Sequence, residues 1–183
     1  MPGPPPSRKD RPIPPALALG AGLVLYLTGL LLPLALLGDW YRLFQAVLTP
    51  EARPSSFAQW LGTLAGILPK NLGILLVAAY LMPLLPRVFP STPRTLPVLY
   101  ALGLAFVLGL ISTPSQILFG PWYLLLTVPV ALMELLAYLL AALHGQDRAF
   151  GLPASPRFFL AAFLLILAGG AAEAWVITTF WRS

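Results

Sequence analysis

The amino-acid sequence predicts an all-α protein, a polytopic bundle of five transmembrane helices. Three observations lead to this fold class: 58% of the 183 residues are hydrophobic, only 9% are charged, and the mean hydropathy is +0.85. A soluble domain carries about 25% charged residues, so an ordinary water-soluble protein is excluded. The apolar residues also form stretches long enough to cross a bilayer, which takes about 20 residues of α-helix.

The first span follows a proline-rich segment. Residues 1–15 are rich in proline and contain the charged run from Arg8 to Arg11, which predicts a disordered cytoplasmic tail. Residues 16–37 contain no charge and rise about 33 Å as a helix, enough to cross about 30 Å of hydrocarbon. This stretch is longer than the apolar region of a signal peptide. It therefore predicts an uncleaved first helix.

The remaining apolar stretches predict four further spans, so that residues 16–183 form one transmembrane domain. Pro69 interrupts the second stretch and leaves two alternatives. One is a kinked helix from about Leu61, and the other is an interfacial helix that turns into a short crossing at Pro69. Polar loops are expected at residues 38–56, 86–97 and 144–157, and the first of these is the predicted partner surface. The predicted spans are about 16–37, 61–85, 98–118, 122–143 and 158–181.

Basic residues predict the orientation of the bundle. Seven of the eleven lysines and arginines lie in the tail and in the predicted loops at residues 86–97 and 144–157, on the same side as the N-terminus. Because cytoplasmic loops carry an excess of basic residues, the N-terminus is predicted to be cytoplasmic in a multi-pass protein of the inner (plasma) membrane. The seven residues are Arg8, Lys9, Arg11, Arg87, Arg94, Arg148 and Arg157.

Two carboxylates, Glu134 and Glu173, lie within predicted spans. A charge at the centre of a transmembrane helix costs about 2.5–3.5 kcal/mol on insertion scales, so each side chain should face protein or water. Measured from Trp122 and Trp181 at the outer ends of their helices, the two acids differ in depth by about 6 Å. Direct contact between the carboxyl groups should therefore require helix tilt or an intervening polar group.

Lys70 and Asn71 complete a predicted intramembrane polar cluster with the two acids. If the second helix starts at Leu61, Lys70 lies almost level with Glu173, and the Asn71 amide can donate or accept a further hydrogen bond. We predict that Lys70, Asn71 and Glu173 meet in the bundle interior. The alternative is that Lys70 begins the crossing and extends into the outer headgroups without an acidic partner.

Glu134 and His144 each have a structural interpretation. Glu134 either holds a neighbouring helix through a hydrogen bond of about 1 kcal/mol or serves as a proton or cation site. No chain of further acids or histidines follows it, which favours the packing role. His144 is predicted to close the fourth helix and to complement its C-terminus.

The residue inventory excludes several kinds of chemistry. With no cysteine and one histidine, the single chain cannot build a disulfide, a thiolate site or a multi-histidine metal site. The predicted fourth span, which His144 closes, contains no serine for an intramembrane serine protease. The basic residues form no stripe for nucleic acid. We therefore expect no catalysis, no metal, no cofactor and no nucleic-acid partner.

Three segments carry a family resemblance. Residues 68–76 contain Pro-Lys-Asn-Leu-Gly, residues 129–137 read Pro-Val-Ala-Leu-Met-Glu-Leu-Leu-Ala, and residues 171–178 read Ala-Ala-Glu-Ala-Trp-Val-Ile-Thr. In order and spacing they resemble three segments of the stage II sporulation protein M family: an asparagine-led second span, a Pro-His-Gly-x-x-Glu-Leu-x-Ala segment and a Glu-Ala-Phe-hydrophobic-Thr ending. Val130 and Ala131 stand where the family has His-Gly, so a role that needs that histidine is not expected here.

The resemblance implies a helical, non-enzymatic membrane protein with Asn71, Glu134 and Glu173 as family-type polar positions. The family's namesake is a membrane platform for two secreted cell-wall-degrading partners during engulfment. We therefore expect a scaffold or a subunit of a membrane assembly. The lipid bilayer, other membrane or envelope proteins and a second copy of the chain are its candidate partners. The alternative is a small transporter or permease subunit that uses an intramembrane glutamate for proton or cation coupling.

Overall fold

The predicted all-α fold class is confirmed by the computed structural model, which describes residues 11–36, 56–119 and 121–180. These residues form five helices and no strand. The predicted loop at residues 38–56, and the first ten residues of the predicted tail, lie outside the described residues. The helices are α1 (Pro15–Leu36), α2 (Phe57–Val88), α3 (Leu96–Phe119), α4 (Pro121–Phe150) and α5 (Pro156–Phe180).

The helices have the length and composition of membrane spans. Four of them contain segments long and apolar enough to cross a membrane: Pro15–Pro33, Phe57–Val88, Leu126–Phe150 and Pro156–Phe180. In α3 the shorter segment Leu96–Ser112 is also apolar. Large apolar side chains are exposed along the helices, as expected where lipid replaces water. The chain is therefore a helical membrane protein.

Helix α2 begins at Phe57, four residues before the predicted start at Leu61. Ser56 and Gln59 form a capping box, in which the Gln59 N–H donates to Ser56 Oγ and the Ser56 N–H donates to Gln59 Oε1, both at 3.2 Å. These bonds satisfy backbone donors that have no partner within the helix. The α-helix is not interrupted at Pro69 and extends as far as Leu76.

The C-terminal part of α2 departs from α-helical geometry. A π-helical turn at Val77–Leu81 leads into a 3₁₀ turn at Met82–Leu84, ahead of a last turn that ends at Val88. Pro83 lacks an N–H, so the regular hydrogen-bond ladder is interrupted at this point. Gly145 of α4 packs against the π turn, where an added Cβ would lie 2.3 Å from the Ala78 carbonyl oxygen. Only a glycine fits this contact.

The prediction of a loop at residues 144–157 is wrong for the first half of this range, because α4 continues to Phe150. The polar run that suggested a loop is largely buried: His144 is 6% and Gln146 is 2% exposed. The helix ends at Gly151, whose φ of +72° is readily adopted by glycine. The Leu152 N–H donates to the Asp147 carbonyl at 2.8 Å and the Gly151 N–H to the Arg148 carbonyl at 3.2 Å, which is a Schellman motif.

The last residues of the predicted disordered tail are ordered against α4. The Ile13 N–H donates to Gln146 Oε1 at 3.1 Å, and Gln146 Nε2 donates to the Ile13 carbonyl at 3.0 Å. The oxygen and the nitrogen of the Gln146 amide thereby each bond to the same residue of the tail. A cleft of about 270 Å³ lies beside this contact, between the segment from Pro12 to Pro15 and the end of α4.

Helix α4 is the centre of the bundle and contacts all four other helices. Helix α1 packs mainly on α3, and α2 packs on α5. The α1–α3 contact brings two backbones together: a Cβ added to Gly29 would lie 2.3 Å from the Phe106 carbonyl oxygen, and one added to Gly109 would lie 2.2 Å from that of Tyr26. Small residues at both positions allow this close approach.

Candidate functional site

Three polar side chains meet where α2, α4 and α5 pack together. Asn71 lies on α2, Glu134 on α4 and Glu173 on α5. The Asn71 side-chain amide donates to Glu134 Oε1. Glu134 is 7% exposed, and Asn71 and Glu173 are half-buried. We call these three residues the polar triad.

The carboxyl groups of Glu134 and Glu173 lie close together, within reach of a hydrogen bond. A hydrogen bond between two carboxyl groups requires a proton on one of them, and two adjacent carboxylates are not both ionised in such a site. This contact adds a direct link between the helices to their apolar packing.

Side-chain direction explains how acids at different depths touch. Every Cα–Cβ bond in an α-helix tilts toward the helix N-terminus. Because only a short turn separates α4 from α5, the two helices run in opposite directions. Glu134 and Glu173 consequently extend toward each other along the bundle axis. The side chains themselves therefore span part of the difference in depth of about 6 Å that is expected from the helix positions.

Small residues in α5 provide the room for the polar triad. A Cβ added to Gly169 would lie 3.5 Å from Met133 Cβ and 3.6 Å from Glu134 Cγ, and one added to Gly170 would lie 3.1 Å from Leu68 Cδ2. The two glycines thus face α4 and α2 respectively. They allow α5 to approach both helices one turn before Glu173.

Tyr138 is a further polar residue beside the triad that the sequence analysis did not identify. It lies one turn after Glu134 on α4, is 1% exposed, and is within electrostatic range of both acids. The spacing of four residues places Tyr138 on the same helix face as Glu134. That spacing is the sequence signal by which it could have been found.

Lys70 lies outside the polar triad, contrary to the predicted meeting of Lys70, Asn71 and Glu173 in the interior. Its side chain is exposed, although its charge acts on Glu173 from nearby. Asn71 is hydrogen-bonded to Glu134. Successive residues of an α-helix point about 100° apart, so Lys70 and its neighbour Asn71 face different surroundings. The structure thus brings Asn71, Glu134 and Glu173 together and places Lys70 on the side of α2 that faces away from the bundle.

His144 does not complement a helix C-terminus as predicted, because it is buried two turns before the end of α4. Its Nδ1 lies 3.0 Å from the Ser155 carbonyl oxygen, which can only accept, so Nδ1 carries the proton. The rings of Tyr80 and Phe159 lie 5.9 and 5.7 Å from the imidazole, centroid to centroid. His144 therefore joins α4 to the π turn of α2 and to the start of α5.

Arginines lie at the end of the bundle that contains the C-terminal ends of α2 and α4 and the start of α3. The Arg148 guanidinium lies 4.8 Å from the Tyr80 ring centroid, and Arg87 Nη2 donates to the Arg148 carbonyl oxygen at 3.3 Å. Arg94 lies 5.9 Å from the ring centroid of Phe150. Arg87 and Arg148 therefore provide the positive charge near the ends of α2 and α4.

The residues that the structure describes contain no group of three or more histidine, cysteine, aspartate or glutamate side chains that could hold a metal ion. The polar triad is thus a group of two carboxyls and one amide. No protein family, curated protein or solved structure matches this chain.

Proposed function

We propose that the chain is a non-enzymatic protein of the inner membrane with five spans and a cytoplasmic N-terminus, and that it serves as a scaffold or a subunit of a larger membrane assembly. The polar triad would then be structural and hold α2, α4 and α5 in one arrangement. The resemblance to the stage II sporulation protein M family includes all three of its residues and leads to the same role.

The enclosure of Glu134 is the observation that carries this proposal. Its carboxyl group accepts a hydrogen bond from Asn71 and lies next to Glu173 within the bundle, and the side chain is 7% exposed. Adjacent residues of α4, among them Leu135 and Tyr138, are buried as well. A proton or cation pathway would need access to the carboxyl group, whereas a structural hydrogen bond needs the enclosure that is observed.

The five-span topology is supported by the ends of the helices. Arg11, Arg87, Arg94, Arg148 and Arg157 flank helix ends that lie on one side when all five helices cross. The contacts of Arg87 with Arg148 and of Ile13 with Gln146 join the corresponding segments. A cytoplasmic location of this end follows from the excess of arginine.

Glu134→Gln provides the test of this role. We expect the variant to insert, to keep its stability within about 1 kcal/mol because an amide can still exchange hydrogen bonds with Asn71 and Glu173, and to retain the same neighbours as the wild type after crosslinking and purification in mild detergent. A wild-type chain that retains no neighbours would contradict the scaffold.

A proton-coupled transporter is the second candidate, favoured by the two acids Glu134 and Glu173 that lie side by side where α4 meets α5. The same variant separates the two functions in vesicles that enclose a pH-sensitive dye. A carrier should move protons as the wild type and lose this flux as Glu134→Gln while it still inserts. For a scaffold, we expect both proteins to give the flux of protein-free vesicles.

A further inference from the structure

We propose that the outer face of α2 around Lys70 is a docking surface for a transmembrane helix of a different membrane protein, one that carries an aspartate or glutamate at the matching depth. This surface, the Lys70 face, consists of Gly62, Gly66, Lys70 and Gly73. The proposal rests on the proposed role in an assembly and identifies the chemistry of a partner.

The depth of Lys70 makes an exposed charge costly. Trp60 lies near the start of α2, where its indole N–H donates to the Ala171 carbonyl oxygen at 3.1 Å. Lys70 lies about 15 Å farther along the helix, and Arg87 about 26 Å beyond Lys70. If Trp60 and Arg87 mark the two interfaces, the four-carbon stem of Lys70 covers less than half the distance to the nearer one. The ammonium group then needs a partner within the hydrocarbon region.

The described part of the bundle does not supply that partner. Glu134 is used by Asn71 and Glu173, and Glu173 turns toward Glu134 in the interior. The Lys70 charge acts on Glu173 from nearby, but among the described residues no carboxylate lies within ion-pair distance of its ammonium group. Lys70 is exposed instead on the outer side of α2.

The shape of the Lys70 face suits a second helix. Positions 62, 66, 70 and 73 follow steps of four, four and three residues, so they lie along one side of α2. A Cβ added to Gly62, Gly66 or Gly73 would meet no atom within 4 Å. The backbone of α2 is therefore accessible on both sides of Lys70, and a neighbouring helix can approach closely enough to place a carboxylate against the ammonium group.

Charge complementarity favours a different protein over a second copy of this chain. In the part of the chain that the structure describes, no acidic side chain is exposed: Glu134 is buried, and Asp147 and Glu173 are partly buried. A second copy therefore offers Lys70 no exposed carboxylate from a described helix. A partner helix with its own acid does.

Disulfide crosslinking to a defined peptide tests the proposal, because the chain contains no cysteine. The probe is a synthetic leucine- and alanine-rich transmembrane peptide with one cysteine and a central Glu, Gln or Lys, reconstituted with the Gly73→Cys protein in phosphatidylcholine vesicles. We expect the Glu peptide to crosslink about tenfold more than the Gln peptide, the ratio that corresponds to about 1.4 kcal/mol. The preference should disappear with Lys70→Met and persist with Lys70→Arg.

Gly103→Cys is the matched control, since a Cβ added to Gly103 of α3 also meets no atom within 4 Å. It should crosslink to all three peptides equally. Equal crosslinking yields of the Glu and Gln peptides at Gly73→Cys would overturn the proposal, and so would a preference for the Glu peptide that survives Lys70→Met. Crosslinked dimers of the chain itself as the main product, or loss of the preference on adding anionic lipid, would also overturn it. If these results occurred while the chain still retained neighbours from cells, the docking surface alone would be rejected and the scaffold would stand.

Discussion

Replacing Gly109 with alanine is expected to destabilise the bundle by about 3 kcal/mol or more, the upper part of the range for overpacking a core. The added methyl group would lie 2.2 Å from the Tyr26 carbonyl oxygen and 2.8 Å from the Leu30 nitrogen, both backbone atoms of α1. A side chain can change rotamer to relieve a clash, but a helix backbone can move only as a unit. Helices α1 and α3 must therefore separate. The free energy of unfolding in mild detergent measures this effect.

Gly103→Ala is the matched control on the same helix. Its added Cβ meets no atom within 4 Å, so this substitution should leave the free energy of unfolding unchanged or raise it by up to about 1 kcal/mol, the difference in helix propensity. If the two alanine variants had equal stability, the close backbone contact between α1 and α3 would be absent from the protein.

Replacing Glu134 with alanine is expected to lower the free energy of unfolding by about 2–3 kcal/mol. The substitution leaves the Asn71 amide and the Glu173 carboxyl group without their partner in a nearly closed interior, and a buried polar group that loses its hydrogen bond costs about 1–3 kcal/mol. It also removes side-chain volume where α4 meets α5. Denaturation in mild detergent, followed by helix content, gives the value.

Glu134→Gln separates the hydrogen bonds from the volume, because glutamine fills nearly the same space. The loss should be at least about 1 kcal/mol smaller for glutamine than for alanine. Equal losses would show that neither the amide of Asn71 nor the carboxyl of Glu173 depends on position 134 for its hydrogen bond.

The positions of the helices were predictable because apolar length alone identifies a membrane span. Their ends were harder to predict. At the start of α2 the capping pair Ser56 and Gln59 is a local signal that the apolar pattern concealed. At the end of α4 no local signal suffices, because His144 and Gln146 are held in the helix by contacts with Ser155, which lies beyond the helix end, and with Ile13, which is distant in sequence.

The residues of the polar triad were predictable, but their pairing was not. An acid within a span needs a polar neighbour, and this rule selects Glu134 and Glu173 from the sequence. The choice of neighbour depends on which way each helix faces and on the direction of its side chains. Lys70 and Asn71 are adjacent in sequence, yet one is exposed and the other reaches Glu134.

A double-mutant cycle between Glu134 and Glu173 tests most directly whether the polar triad joins α4 to α5. The free energy of unfolding is measured for the wild type, for Glu134→Ala, for Glu173→Ala and for the double variant. Direct contact between the carboxyl groups predicts that the double variant loses at least about 1 kcal/mol less than the sum of the two single losses. Losses that add within about 0.3 kcal/mol, as they do for independent sites, would contradict the contact and the structural role assigned to both acids.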